Sequence, residues 1–316
     1  MTEEWNVRPS TRFIVQIAIA AGALLVCSAT PARSDEVPVK TYTVSGRPTV
    51  RIDTNDGSVH VSTSADSKTV EVHVEYQGLE LNKNLHVESR QDGDRIEVVA
   101  RMTGHWGFSI GWGHNSRRLH IEVRMPKDGD LDVQSGDGGI QTQSLKGTLN
   151  VHTGDGAVRA EAVDGNVDIY TGDGSITLEG AKGNIKLHTG DGHIEARQLD
   201  GRVDASSGDG HIRLDGRFDG LSIKTGDGGI DAKAYPGSKV ASSWSIRTGD
   251  GSVDISLPAD LQADIDASTH DGHISLGIPV TVEGNFSKSQ VHGKMNGGGQ
   301  PLTIRTGDGS IRLNKS

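Results

Sequence analysis

The chain has 316 residues, of which 33% are hydrophobic and 4% aromatic, and its formal net charge is −10. The acidic balance argues against a nucleic-acid partner, because neutralising phosphates requires clustered Lys and Arg and no basic stripe is present. The 43 glycines lack collagen's every-third-residue placement, so they indicate frequent turns instead of a triple helix.

The first 34 residues have the order of a secretory signal. Arginines precede an apolar run from Phe13 to Ala29, and small residues then lead to a charged segment. We expect residues 1–34 to be a signal peptide that is cleaved after Ala32 or Ser34, with export to the periplasm, cell envelope or extracellular space. An uncleaved anchor and lipid attachment at Cys27 are the alternatives. Cys27 is the only cysteine, so the mature chain can form no disulfide.

Residues 35–125 contain strand-like runs at 69–76, 85–89, 95–100 and 118–125, joined by polar loops. We expect an N-terminal, mostly antiparallel β cap that covers the open end of the domain that follows. A Gly-rich stretch within this region concentrates three aromatic side chains, Trp106, Phe108 and Trp112. Exposed aromatics are good anchors for partners, so these are the predicted partner-binding residues. The alternative is that they plug the open end of the fold.

An Asp-Gly turn recurs ten times, and six successive copies from Asp137 to Asp227 are 18 residues apart. Each Asp has Thr or Ser two positions before it, and most have Gly directly before it. We therefore assign residues 126–316 to a Gly-Asp-Gly repeat domain. The turn residues are Asp56, Asp137, Asp155, Asp173, Asp191, Asp209, Asp227, Asp250, Asp271 and Asp308.

Apolar residues flank each turn at positions −6, −4, +3 and +5 from the Asp, as in Val167, Ile169, Ile176 and Leu178, and Thr142 is the only departure. Period two on both sides of a turn predicts two short strands with one apolar face each. Because so short a unit cannot bury its own apolar face, we predict an all-β fold, a β-solenoid with about 18 residues per coil. A meander of Asp-Gly hairpins is the alternative, but it leaves an apolar face uncovered.

The segments Val123-Arg124-Met125-Pro126, Leu131-Asp132-Val133 and Ile255-Ser256-Leu257-Pro258, together with the serial Gly-Asp-Gly strands, resemble the bacterial putative-adhesin β-strand-repeat family, a domain of unknown function. The resemblance spans residues 42–316. It implies an exported or membrane-attached protein that folds as a solenoid-like stack. It supplies no catalytic residues, because the family has none established.

Stacked turns would place the Asp side chains in one row about 4.8 Å apart, where like charges repel unless hydrogen bonds or cations compensate. We expect Asx-type turns, in which the carboxylate accepts backbone N–H groups and the glycines take positive φ. No cofactor is predicted, although calcium is an alternative occupant of this row. His193 and His211 hold the same position in adjacent repeats, where they are either a zinc-binding pair or ordinary surface residues.

These features predict a non-catalytic, exported protein of the cell envelope or surface that acts as an adhesin-like or structural binding module. The expected partner is a cell-surface glycan or an envelope protein, and membrane contact is expected only through an uncleaved N-terminal segment. Envelope-stress sensing or regulation is the alternative, and an enzyme acting on polysaccharide is the third. We expect functional sites where the repeat breaks, at 106–112 or in insertions near 235–243 and 284–300.

Overall fold

All secondary structure in the described part of the chain is β, which confirms the predicted all-β class. The structure is a computed structural model that describes residues 35–66, 68–103, 117–282 and 287–316. The expected signal peptide lies outside these ranges. Within them, no helix is long and apolar enough to cross a membrane.

The strands are β1 (Asp35–Thr43), β2 (Thr49–Thr54), β3 (Ser58–Ser64), β4 (Thr69–Gln77), β5 (Leu85–Asp92), β6 (Arg95–Met102), β7 (Arg118–Pro126), β8 (Asp130–Ser135), β9 (Ile140–Gln143), β10 (Lys146–Thr153), β11 (Val158–Thr171), β12 (Ile176–Thr189), β13 (Ile194–Ser206), β14 (Ile212–Lys224), β15 (Ile230–Ala234), β16 (Trp244–Arg247), β17 (Val253–Leu257), β18 (Ala263–Thr269), β19 (Ile274–Leu276), β20 (Thr281–Val282), β21 (Gln290–Met295), β22 (Pro301–Thr306) and β23 (Ile311–Lys315).

Strands at equivalent places in successive repeats pair in parallel. Val158 of β11 pairs with Ile176 of β12, which pairs with Ile194 of β13 and then with Ile212 of β14, so each step advances by 18 residues. The strands before the turns form one row, face 1 (for example 167–171), and those after the turns form a second row, face 2 (for example 158–161). Neighbouring strands in a meander of hairpins are antiparallel, so this pairing is that of stacked coils.

The apolar positions beside the turns fill the space between the two faces. All of them are buried except Leu276, which is partly buried. Thr142, the one polar member, is buried too, and its hydroxyl has no hydrogen-bond partner. A fifth buried column, which the period-two pattern did not predict, lies eight residues after the Asp, where the chain passes from face 2 back to face 1. Its members include Leu145, Val163, Ala181 and Leu199.

The Thr or Ser two residues before each Asp is buried, and in every coil except those of Asp56 and Asp137 its hydroxyl bonds to the adjacent coil. The buried hydroxyl of Thr189 donates to the carbonyl oxygens of Gly172 (3.3 Å) and Gly174 (2.9 Å) in the preceding coil. It also accepts the backbone N–H of Gly192 in its own turn at 3.1 Å. From the Asp155 coil onwards, a column of hydroxyls therefore satisfies buried backbone groups of the stack, whereas the buried Ser135 hydroxyl has no hydrogen-bond partner. Equivalent bonds are made by Thr171, Ser207, Thr248, Thr269 and Thr306.

Replacing Thr189 by Val should lower the free energy of unfolding by about 1–3 kcal/mol, because Val keeps the side-chain shape but leaves the Gly192 N–H without its buried partner. Thr189→Ser is the matched control, since Ser207 makes the same bonds in the next coil. Chemical denaturation of the three proteins measures the effect. Equal unfolding midpoints for wild type and Thr189→Val would show that the hydroxyl column is not stabilising.

The glycines after the Asp residues are required by the close approach of stacked coils. A Cβ added at Gly174 would lie 2.1 Å from the carbonyl oxygen of Gly156 in the preceding coil. Among these glycines, only Gly57 has φ in the left-handed region within the described residues. The expectation of positive φ at the turn glycines is therefore wrong outside the Asp56 coil, because backbone contact between coils, and not turn conformation, excludes a side chain.

The coils at the C-terminal end are not stacked in sequence order. β16 and β17 pair with β22 and β23, which pair in turn with β18 and β19. The Asp308 coil therefore lies between the Asp250 and Asp271 coils. The core hydroxyls follow the same spatial order, since Thr306 bonds to Gly251 and Thr269 bonds to Gly309. The antiparallel strand β21 then pairs with β18, and β20 pairs with β21.

Towards the other end of the stack, the Asp56 coil lies between two parallel neighbours. β2 and β3 pair in parallel with β8 and β9 on one side and with β6 and β7 on the other. Beyond them the pairing becomes antiparallel, between β5 and β6, between β4 and β7, and between β1 and β4. The outermost strand β1 contains Pro38, and its pairing shifts between Val37 and Lys40. Proline, lysine and a bulge all discourage the addition of a further strand at an edge.

Candidate functional site

The predicted partner-binding residues Trp106, Phe108 and Trp112 lie outside the residues that the structure describes, so their role stays a prediction. The other sequence candidates are the turn Asp row, the histidine pair and the late insertions, and all three contain described residues. Two further surfaces, one on each face, emerge from the geometry alone.

The turn Asp side chains lie on an exposed edge of the stack. Asp155, Asp173 and Asp191 are exposed in coils whose strands are in register. Asp56 accepts the backbone N–H of its neighbour Gly57 at 2.7 Å, whereas the other turn carboxylates make no hydrogen bond or ion pair in the described part of the chain. The expected Asx turn is therefore wrong in those coils, because the buried hydroxyls bond to the turns instead. No group of three His, Cys, Asp or Glu residues in the described ranges is arranged to hold a metal ion.

His193 and His211 do lie in adjacent coils, but one ring nitrogen of each already has a protein partner. The backbone N–H of His211 donates to Nδ1 of His193 at 3.1 Å. Nε2 of His211 is 3.1 Å from Oδ2 of Asp231, which also pairs with Arg213 at 2.9 Å. This arrangement is a surface hydrogen-bond network that joins coils on face 2.

The first late insertion and the segment before β22 come together around a hollow of about 510 Å³. Near it, the Asn296 side-chain amide donates to the backbone carbonyl oxygens of Ala259 (2.7 Å) and Leu261 (2.8 Å), which fixes the segment that contains Leu261. Lys239 and Asp260 are the charged side chains at its rim. The structure thus brings together two parts of the chain that the repeat pattern marks only as interruptions.

Face 2 has a hollow of about 480 Å³ near its N-terminal end. Most of its polar side chains are already paired with neighbours. Oγ of Ser58 is 2.8 Å from Nδ1 of His120, and Nδ1 of His60 is 3.2 Å from Oε1 of Gln141. Arg159 donates to a glutamate at 2.8 Å. Few of its polar groups are left for a ligand.

Face 1 has a trough of about 390 Å³ across four coils in the middle of the stack. Five exposed polar side chains of this trough make no side-chain hydrogen bond or ion pair within the described residues. They are Asn150, Asp168, Lys186, Arg202 and Asp204. The amide of Asn184 donates to Oδ1 of Asn166 at 3.2 Å, which fixes the orientation of this pair.

A stack of three aromatic rings runs beside the trough. His152 and Tyr170 are stacked with centroids 4.6 Å apart and planes at 8°, and Tyr170 and His188 are 4.9 Å apart at 18°. The Tyr170 side chain stays 39% exposed. Because the rings cover each other's flat sides, they present ring edges, nitrogens and a hydroxyl to solvent instead of an open stacking surface.

Towards both ends of face 1, charged side chains neutralise one another across coils. Arg51 pairs with Asp132 at 3.4 Å near the N-terminal end, and Arg305 pairs with Asp266 at 3.0 Å near the C-terminal end. Lys186 contrasts with these residues, since it lies in register between two aspartates in the adjacent coils and pairs with neither. The middle of face 1 is thus where polar groups remain available.

Asp130, at the N-terminal edge of face 1, is hydrogen-bonded to two other parts of the stack. Its carboxylate accepts hydrogen bonds from Arg47 (2.6 Å) and from the backbone N–H of Thr148 (2.8 Å). Partial burial raises the pKa of this carboxyl, but the two hydrogen bonds and the Arg47 charge outweigh that effect, so its pKa lies below the usual value. Because of these bonds, the Asp130 carboxylate stabilises the fold and is not available to a ligand.

The sequence analysis did not single out the face 1 trough as a site. The signal was present, because His152, Tyr170 and His188 occupy one position of the 18-residue period, as do Asn150, Asp168, Lys186 and Asp204. The 18-residue period alone could have placed these side chains in two rows. Which members pair with each other required the structure.

Comparison with known proteins finds solved structures and a family model to which this chain is similar. A "putative adhesin" from Bacteroides fragilis NCTC 9343 is 14% identical with a TM-score of 0.41, and the match covers 89% of this chain and 98% of that one. A "putative lipid binding protein" from Parabacteroides distasonis ATCC 8503 is 14% identical with a TM-score of 0.40, covering 89% and 97%. No curated protein matches the sequence. The family model described as Toastrack DUF4097 matches residues 48–314, which confirms the resemblance found in the sequence, and the chain belongs to this family.

Proposed function

We propose that the protein is a non-catalytic, exported module of the cell envelope or surface that binds an envelope or cell-surface partner in the manner of an adhesin. The observation that carries this proposal is the face 1 trough, where polar groups are exposed and unpaired on a rigid stack of coils. Repeat proteins use such extended faces to bind large partners. The signal-like order of residues 1–34 supports export.

We propose in addition that residues 35–125 cap the N-terminal end of the stack, with the antiparallel strands β1, β4 and β5 as the outer part of the cap. Their support is the pairing itself, since antiparallel strands replace the parallel coils at this end. A cap of this kind prevents coils of another molecule from continuing the stack.

The experiment is expression of the full chain in its own cells, followed by fractionation and N-terminal sequencing. We expect the protein in an envelope or external fraction with a new N-terminus near residue 33 or 35. The purified exported protein should then bind isolated cell envelopes saturably. An unprocessed protein in the cytoplasm, or the absence of envelope binding, would overturn the proposal. An altered envelope-stress response without envelope binding would favour the sensing role.

A further inference from the structure

We propose that the face 1 trough binds a neutral, extended polysaccharide whose chain runs along the axis of the stack, beside the His152, Tyr170 and His188 rings. This inference rests on the proposed function and names the ligand class of its surface. It is carried by three observations: the charge balance of the trough, its unpaired hydrogen-bonding groups, and its direction across the coils.

The charges of the trough favour a neutral ligand. Asp168 and Asp204 each contribute a negative charge, and Lys186 and Arg202 each contribute a positive charge, so the formal sum is zero. A charged polymer would gain no net attraction from this trough, because a polyanion meets two carboxylates as well as two basic side chains, and a polycation meets the same four groups. A polymer of uncharged units meets neither penalty.

The hydrogen-bonding groups suit hydroxyl-rich units. The amide of Asn150 can both donate and accept, and Asn184, although bonded to Asn166, keeps its carbonyl oxygen and a second N–H. The aspartates accept, and Lys186 donates. A sugar hydroxyl also donates and accepts, so successive hydroxyls can use acceptors and donors that alternate from coil to coil. These protein groups lie on strands whose backbones are fixed by parallel pairing, so little ordering is needed on binding.

The direction of the trough suits a chain of repeating units. Its four coils are in register, so equivalent side chains recur at about 4.8 Å and the trough extends for about 14 Å along the axis. The ring row runs parallel to it. Because the Tyr170 ring is held between two imidazoles, its hydroxyl is fixed at the centre of this side of the trough.

The experiment measures binding of the exported protein to chitohexaose, cellohexaose and maltohexaose by calorimetry and ligand-observed NMR, with polygalacturonate as the charged comparison. We expect at least one neutral hexasaccharide to bind saturably with a dissociation constant below about 1 mM. The double variant Tyr170→Ala with Asn184→Ala should weaken that binding by about tenfold or more. Lys224→Ala is the matched control, because Lys224 is exposed at the same position two coils beyond His188, and it should change the affinity less than twofold.

Thermal unfolding of each variant checks that the stack is intact, and all of these side chains are exposed. The inference is overturned if none of the neutral hexasaccharides binds, if polygalacturonate binds more tightly, or if the double variant binds as wild type does. If the wild-type protein still binds envelopes in such a case, the proposed function holds but the ligand belongs to another class. If the wild-type protein does not bind envelopes at all, the proposed function itself is overturned.

Discussion

Replacing Gly192 by Ala is expected to lower the free energy of unfolding by roughly 3 kcal/mol or more. The added Cβ would lie 2.0 Å from the carbonyl oxygen of Gly174 and 2.7 Å from Oγ1 of Thr189. Both groups are held by the pairing of adjacent coils, so neither can move without disturbing the hydrogen bonds between coils. Chemical and thermal denaturation of the purified variant measure the loss.

The matched control for this prediction is Gly139→Ala, two residues after the Asp137 turn residue. A Cβ at Gly139 would approach the nearest atom, the carbonyl oxygen of Ala157, at an ordinary 3.6 Å. Gly139→Ala should therefore change the stability by less than about 1 kcal/mol, with a small gain from the stiffer unfolded chain. Equal losses for the two variants would mean that glycine acts in these turns through conformational freedom and not through the spacing of coils.

Replacing Trp244 by Ala is expected to cost about 3–5 kcal/mol. Trp244 is fully buried and is among the largest buried side chains in the described residues. Its ring meets Phe218 edge-on, with centroids 6.1 Å apart and an interplanar angle of 82°. An Ala at this place would leave a cavity in a narrow core between two rigid faces, which cannot collapse to fill it. Denaturant unfolding measures the cost.

Trp244→Leu is the control, because the partner residue in the neighbouring coil is Leu302. Leu retains part of the apolar volume and removes the buried indole N–H, which has no hydrogen-bond partner. We expect its cost to be about half that of Trp244→Ala, since the unpaired donor is itself unfavourable in the wild-type core. If Leu proves as destabilising as Ala, the aromatic contact with Phe218 contributes more than the buried volume.

The strand pattern was predictable because it depends on period two alone. If the residues two and four positions away in the same strand face the core, Val167 must face it too. This holds whatever the order in which the coils stack. The roles of the turn residues were not predictable in this way. The sequence marks Thr189, Asp191 and Gly192 as a unit, but a carboxylate and a hydroxyl can close a turn equally well. Only the stacking of coils shows that the hydroxyl is buried and the carboxylate exposed.

The trough on face 1 was likewise predictable only in part. The 18-residue period places Asp168, Lys186 and Asp204 in one row, and the sequence alone would predict ion pairs between them. The structure leaves these side chains unpaired while Arg51 and Asp132, in the equivalent row, do pair. Rotamer choice within a row depends on the neighbours above and below, which the sequence of one coil does not contain.

The sequence by itself determined the 18-residue spacing of the turns from Asp137 to Asp227, the apolar columns and the position of each turn. Only the tertiary structure decided the order of the coils, with the Asp308 coil placed between the Asp250 and Asp271 coils. The physical reason is that every coil presents nearly the same apolar columns and backbone edges, so one coil can stack on any other. Contacts that distinguish coils, such as the antiparallel pairing of β21 with β18, then select the order.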